Sequence, residues 1–343
     1  MRIVKSKSEN FNNLWGELFK NSDFQHPLYQ PCNIAYYKAA SLGVGFEDCS
    51  FAVEEGGKPV LGVLAAINVT ASGLREFCAY GIMPLFYIED LRFGADKLSG
   101  AYNLFKSELD DILQNRAVDR VFYQDFLSAG KISFVGKYLL NHGASATPFF
   151  TQIIDLSDSE LKLGQQVRKS YKSLINWGQK NLSLRILNYK TIVPQDMENF
   201  RQLHMHAAGR ETRPRRTWDL QYEMVVRNEA FAILGELEGE LVTAALFPYS
   251  SRYCYYGVSA SKRELFSKPL SHAVIWRAIL HAKKEGCRYF ELGMQCYPRQ
   301  GDSFCSKKEL NISIFKHGFG GQTYVRLNIV WEKEKAARIE SEE

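Results

Sequence analysis

The residues best suited to chemistry lie near the C-terminus, in Phe315-Lys316-His317-Gly318-Phe319-Gly320-Gly321. Glycine tolerates positive φ and lets other groups approach the backbone. The segment therefore makes a poor strand or helix interior and reads as a turn lining a site. Lys316 puts a cation on that turn, and Glu309 is the only acid within seven residues of it on either side. A cation so isolated can serve a ligand; the plain alternative is a surface lysine. Upstream, Glu291 closes an otherwise apolar stretch just before Gly293, in Arg288-Tyr289-Phe290-Glu291-Leu292-Gly293. A carboxylate at a strand end can accept a proton, or it can form an ion pair with Arg288 or Lys316.

Two basic blocks add charge. Arg168, Lys169, Lys172 and Lys180 have no acid between them, and Arg210, Arg213, Arg215 and Arg216 are broken only by Glu211. Each suits a phosphate-bearing ligand, or is a solvated helix face or loop. Histidines offer less. His317 stands alone beside glycines, and on a helix His204 and His206 point apart, so no metal site is expected.

These side chains need a frame. A chain of 343 residues holds two ordinary domains or one large α/β domain. Its apolar fraction of 45%, with Phe 22, Tyr 18 and Trp 5, is ample for a core. The net charge of +5 argues neither for nor against nucleic acid. Seven cysteines (Cys32, Cys49, Cys78, Cys254, Cys287, Cys296, Cys305) show no CxxC spacing. The odd count and scatter predict reduced, mostly buried thiols. With no apolar signal core at the N-terminus and no apolar run near about 20 residues, the protein is expected to be cytoplasmic, without a membrane span. Residues 332–343 read as a charged tail.

The pattern along the chain is a loose duplication. Phe11, Leu14, Trp15 and Leu18 mark an early helix, and 26–31, with two prolines, should be extended or turned. A hairpin, 50–55 and 58–64 about Gly56-Gly57, is followed by a helix carrying Phe105, Leu109, Ile112 and Leu113, then a strand, 120–124. The same order returns as hairpin 231–237 and 240–247, strand 253–258, a helix with Ile275, Ile279 and Ala282, and strand 288–292. Between the copies, Ser157 or Asp158 can cap a helix. A further helix is predicted from about Gln165 to Lys180, with Arg168, Lys172 and Asn176 on one stripe and Val167, Tyr171, Leu174 and Ile175 on another. Tyr255 and Tyr256 alternate on their strand, so one should be core and the other can reach a cleft.

Four segments together carry a family resemblance. Phe149-Phe150-Thr151-Gln152-Ile153-Ile154-Asp155-Leu156-Ser157, the basic run from Arg168 to Lys180, the stretch from Ala278 to Gly293 and the Phe315–Gly321 signature occur in the order found in the FemAB group of transferases, the peptidoglycan bridge-forming type. The chain resembles that group over roughly 149–325. The resemblance implies an α/β (α+β) fold of two tandem GNAT-like acyltransferase domains, each a mixed central sheet flanked by helices. Residues 1–150 would form a divergent first domain and 151–331 the second.

The resemblance also implies transfer of an acyl or aminoacyl group to a primary amine. An acyl-CoA donor and an amino-sugar or other cell-envelope acceptor are favoured over an aminoacyl-tRNA donor and a peptidoglycan-type precursor. A non-catalytic glycan- or RNA-binding module is the remaining alternative. No tightly bound cofactor is expected, and tRNA is a possible partner. Lys316 would stabilise charge and Glu291 would take the proton. Arg168, Lys169, Lys172, Arg210, Arg213, Tyr222, Tyr256 and Phe315 would bind substrates. One departure is the stretch Ser259–Leu270, which lacks the glycines that cradle a pyrophosphate in CoA-binding relatives; the helix start near Ser271 would have to hold a phosphate instead.

Overall fold

Phe11, Leu14, Trp15 and Leu18 are all buried on one face of the first helix, as their spacing requires. The structure, a computed structural model, describes residues 1–22, 24–41, 45–81, 83–300 and 303–333. Among them the helices are α1 (Phe11–Asn21), α2 (Pro31–Ala40), α3 (Ala95–Asn115), α4 (Phe134–Asn141) and α5 (Glu160–Gln166), then α6 (Lys169–Asn181), α7 (Pro194–Ala208), α8 (Arg215–Val226), α9 (Leu270–Lys284) and α10 (Lys307–His317). Most of the charged tail, from residue 334 onward, lies outside the described residues, whereas Glu332 ends a strand.

The chain divides into two units. The first comprises Met1–Gln25, Ser41–Phe149 and Val325–Glu343. In it, Arg2–Lys5, Phe51–Glu55, Lys58–Leu64 and Phe86–Glu89 form an antiparallel sheet in that order. A second run of pairing leads from Phe46–Asp48 through Ala66–Val69, Arg75–Cys78 and Arg120–Asp125 to Leu327–Glu332. Phe51, Val53, Leu61, Phe77, Phe105 and Val121 meet in the core between strands and α3.

The second unit comprises Phe150–Tyr324 and, from far upstream, His26–Ala40. The chain changes unit between Phe149 and Phe150, while His26–Ala40 groups with the later unit and the segment from Val325 with the earlier one. Strands Leu182–Leu187, Ala230–Leu237, Glu240–Pro248 and Val258–Ser261 pair antiparallel in that order. Tyr253–Tyr255 instead runs parallel to Tyr289–Gln295, which pairs antiparallel with Phe150–Asp155. The expected single strand 253–258 is therefore split. The Tyr256 N–H donates to the Glu291 carbonyl (2.8 Å) and the next N–H, of Gly257, to the Leu246 carbonyl (3.1 Å). Two neighbouring residues thus send their amides to different strands, and the backbone opens between them.

Three local expectations need correction. The predicted helix from Gln165 is two helices, because Val167 and Arg168 are extended (ψ 133° and 134°) and interrupt the hydrogen-bond ladder. Its N-cap is Ser159, whose hydroxyl accepts from the Lys162 N–H, not Ser157 or Asp158. The signature around Lys316 is not a turn throughout. Phe315, Lys316 and His317 form the last turn of α10, which starts in a capping box between Ser306 and Glu309, and the chain turns only at Gly318–Gly321.

Candidate active site

Glu291 is the centre of a buried polar cluster in the second unit. It lies on strand Tyr289–Gln295 with 2% of its surface exposed. One carboxylate oxygen accepts from the Thr151 hydroxyl on the neighbouring strand (2.8 Å), and the other lies 3.0 Å from His26 Nε2. His26 is fully buried, and its Nδ1 accepts from the Leu28 N–H (3.3 Å). That bond assigns the ring proton to Nε2, which donates it to Glu291. His26 is held by the turn Pro27–Tyr29, for which it is the N-cap. The rings of Tyr253 and Tyr255 stand 5.6 and 5.7 Å from the imidazole.

Lys316 approaches the same strand from the end of α10. Its ammonium reaches the Met294 carbonyl at 3.4 Å. Gly293 makes room: its φ is 85°, and a Cβ there would stand 3.2 Å from Lys316 Nζ. Burial pulls the Lys316 ammonium below the ordinary lysine range, and the nearby Glu291 carboxylate partly opposes this. Lys316 thus reaches the strand that carries Glu291, close enough to feel its charge. Arg288 does not compete for Glu291, since it pairs with Asp155 at 3.2 Å.

Phe315 faces the other way, into a ring cluster with Tyr171, His272 and Phe319 (centroids 6.1, 5.2 and 5.3 Å). Burial lowers the His272 pKa. Arg168 caps this cluster with its guanidinium 5.1 Å over Tyr171. It also lines an open recess of about 550 Å³ with Gln166, His317, Gly320, Gly321 and Gln322. Lys169 and Lys172 are exposed at the start of α6.

The opening beside Gly257 forms a smaller cavity of about 180 Å³. Tyr36 and Tyr37 of α2, Arg213, Gln221 of α8, Leu246 and Tyr255 are among its walls. Arg213 donates to the Tyr36 hydroxyl (2.8 Å) and stacks over Trp218 (5.6 Å). The rest of its basic block behaves differently. Arg215 pairs with Glu198 and Arg216 with Glu223, while Arg210 is exposed in the loop before α8. Tyr222 packs against the apolar cluster around Phe200 and Trp218. Tyr256 stacks on Phe247 and bonds Ser259, so it is Tyr255, its neighbour, that lines the cavity.

The thiols depart from expectation at one place. Cys296 and Cys305 form a disulfide, whereas Cys32, Cys49, Cys78, Cys254 and Cys287 are free. Glu309 lies with these two sulfurs inside 4.8 Å, but it caps α10 through Ser306 and the sulfurs are spent on each other. His206 contacts Glu264 and His204 packs on Trp218, so the two imidazoles do point apart.

His26, Thr151 and the α2 tyrosines were not singled out from sequence. The only local hint was a histidine before a proline, and its partner is 265 residues away.

No protein-family model matches this sequence, and no curated protein matches it. Solved structures do. FemX superposes with a TM-score of 0.70 at 12% identity, covering 99% of this chain and 100% of that one. The C-terminal domain of a putative lysylphosphatidylglycerol synthetase from Agrobacterium fabrum gives 0.63 at 13% identity, with 97% and 94% covered. A tandem GNAT protein from the clavulanic acid biosynthesis pathway gives 0.53 at 14% identity, with 96% and 98% covered. The chain thus has the tandem GNAT-like α/β fold that its sequence resemblance implied. No described helix is long and apolar enough to cross a membrane.

Proposed function

We propose that this chain is an acyl- or aminoacyltransferase that moves its group onto a primary amine. The observation that carries the reading is that the desolvated ammonium of Lys316 reaches the strand carrying a buried carboxylate, Glu291, on a fold shared with FemX and a tandem GNAT protein. An alkyl amine with pKa about 10.4 must lose a proton to attack, which costs about 4–5 kcal/mol at pH 7. Glu291 takes that proton as the C–N bond forms. Its two oxygens already accept from Thr151 and His26, but a carboxylate has lone pairs to spare. The carbonyl oxygen becomes an oxyanion beside Lys316, a contact worth about 3–4 kcal/mol. The bond from acyl carbon to the donor's sulfur or oxygen then breaks.

For the donor we favour an acyl-CoA thioester, and for the acceptor an amino sugar or similar cell-envelope precursor. The tandem GNAT relative is described in its form without AcCoA, and the other relative is named a putative lysylphosphatidylglycerol synthetase. A second reading, an aminoacyl-tRNA donor, is supported by Arg168, Lys169 and Lys172 at the start of α6, beside the larger recess. Turnover should be screened with both donor classes and a panel of amines. With any productive pair, Lys316→Met should lower kcat by about 100-fold or more. Unchanged turnover removes Lys316 from the mechanism, whereas no turnover with any pair in the screen favours an inert binding module. If tRNA is the donor, log Kd should rise with log salt by about 2 for three phosphate contacts; a flat response points to CoA.

A further inference from the structure

His26 is a buried titratable side chain without a part in the transfer steps. Both nitrogens of its ring are engaged within the second unit. A backbone N–H can only donate, so the Leu28 amide fixes Nδ1 as an acceptor and leaves the ring proton on Nε2. Nε2 donates to one Glu291 oxygen at 3.0 Å, and the Thr151 hydroxyl donates to the other at 2.8 Å. Both oxygens therefore accept, which is the pattern of an ionised carboxyl group.

That pattern matters because of where Glu291 lies. A carboxyl group buried without donors keeps its proton and goes neutral, and donors to the charged form oppose this. Glu291 is 2% exposed, and His26 and Thr151 are fully buried. Other titratable groups stand on the elements packed against its strand. Lys316 comes from α10, and its ammonium is favoured by the Glu291 charge. Tyr253 and Tyr255 come from the parallel strand, with their rings beside the imidazole. Asp155, on the antiparallel strand, pairs with Arg288. His26 differs from these in being locked. To take a second proton it must give up the Leu28 N–H, and to turn its ring it must give up both contacts. It is a donor and not a relay, so a proton gained by Glu291 does not pass on through the imidazole.

We infer that His26 is a positioning residue: it holds Glu291 as an aimed carboxylate, ready to accept a proton, and carries no proton onward. The role of Glu291 as base rests on the transfer reading. Its ionisation by His26 does not, and is measured without any substrate.

The test is an NMR titration of the full-length protein labelled with 13C at the glutamate carboxyl groups, the Glu291 signal being assigned by its loss in Glu291→Gln. His26→Phe should move the Glu291 protonation midpoint up by about one pH unit or more, the effect of losing a hydrogen bond to a charged group. His26→Gln, which keeps an N–H at similar reach, should return most of the shift. Thr151→Val should raise the midpoint as His26→Phe does. In the wild type, 15N spectra should show His26 neutral at pH 7 and protonated at Nε2, which decides the matter even where His26→Phe fails to fold. An unmoved midpoint in a folded His26→Phe, or a wild-type ring that is cationic or protonated at Nδ1, overturns the proposal and leaves His26 a structural contact. With a productive donor–amine pair, the acid limb of kcat/KM should move with the NMR midpoint. A moved midpoint with an unmoved acid limb upholds the His26–Glu291 pair and counts against Glu291 as the base.

Discussion

Lys316 reaches the strand of Glu291, and both stood out in sequence because each is a charged group among apolar residues or glycines. Their surroundings did not. Lys316 was expected on a turn because three glycines follow it, yet Ser306 and Glu309 cap a helix that runs through it. His26 was invisible, since no local period marks a side chain whose partner is hundreds of residues away. The buried cation has a measurable signature. Its folded-state pKa lies below the ordinary lysine value near 10.5, so the unfolded chain binds the proton more tightly. Stability should therefore rise with pH between the lowered pKa and about 10.4. Lys316→Met removes the desolvated charge. It should melt higher than wild type at pH 7, by a margin that shrinks toward pH 10, while its activity is lost. Differential scanning fluorimetry across pH reads this, and a pH-independent difference would contradict it.

At the scale of elements, amphipathic periods found α1, α3 and α9, and turn chemistry found both hairpins. Helix α2 escaped because its apolar and polar residues do not segregate to one face, and its buried positions are Cys32 and Asn33. The break between α5 and α6 escaped because Val167 and Arg168, which interrupt the backbone, fit the apolar and basic stripes that run on into α6. Close packing of α6 on α9 was not legible either, since it depends on a single missing side chain. A Cβ at Gly178 would stand 2.5 Å from the Ala273 Cβ, a short group that cannot swing away. Gly178→Ala should therefore destabilise. An overpacking cost of about 1–3 kcal/mol outweighs a helix-propensity gain of up to about 1 kcal/mol. Gly164→Ala in α5 is the control. Its nearest atoms are 4.0 Å away on Trp276, so only the propensity gain remains. Urea midpoints of the two variants should move in opposite directions.

For the whole molecule, the duplicated order of hairpin, helix and strand made a tandem fold legible. The exchange of segments was not. Residues 26–40 leave the first unit's sequence and supply His26, Tyr36 and Cys32 to the second. A fragment of residues 150–324 should accordingly fail to unfold cooperatively. Fusing 26–40 to it through a flexible linker should restore a sharp transition in circular dichroism. A well-folded 150–324 fragment would show that the borrowed segment is dispensable.

The borrowed segment also has a consequence in time. During translation, His26 leaves the ribosome long before Glu291 exists. At about 5–20 residues per second, the 265 residues that separate them take roughly 13–53 seconds to make. The early segment must therefore wait without its hydrogen-bond partner until nearly the whole polypeptide has emerged, so the later unit can only be completed at the end of synthesis.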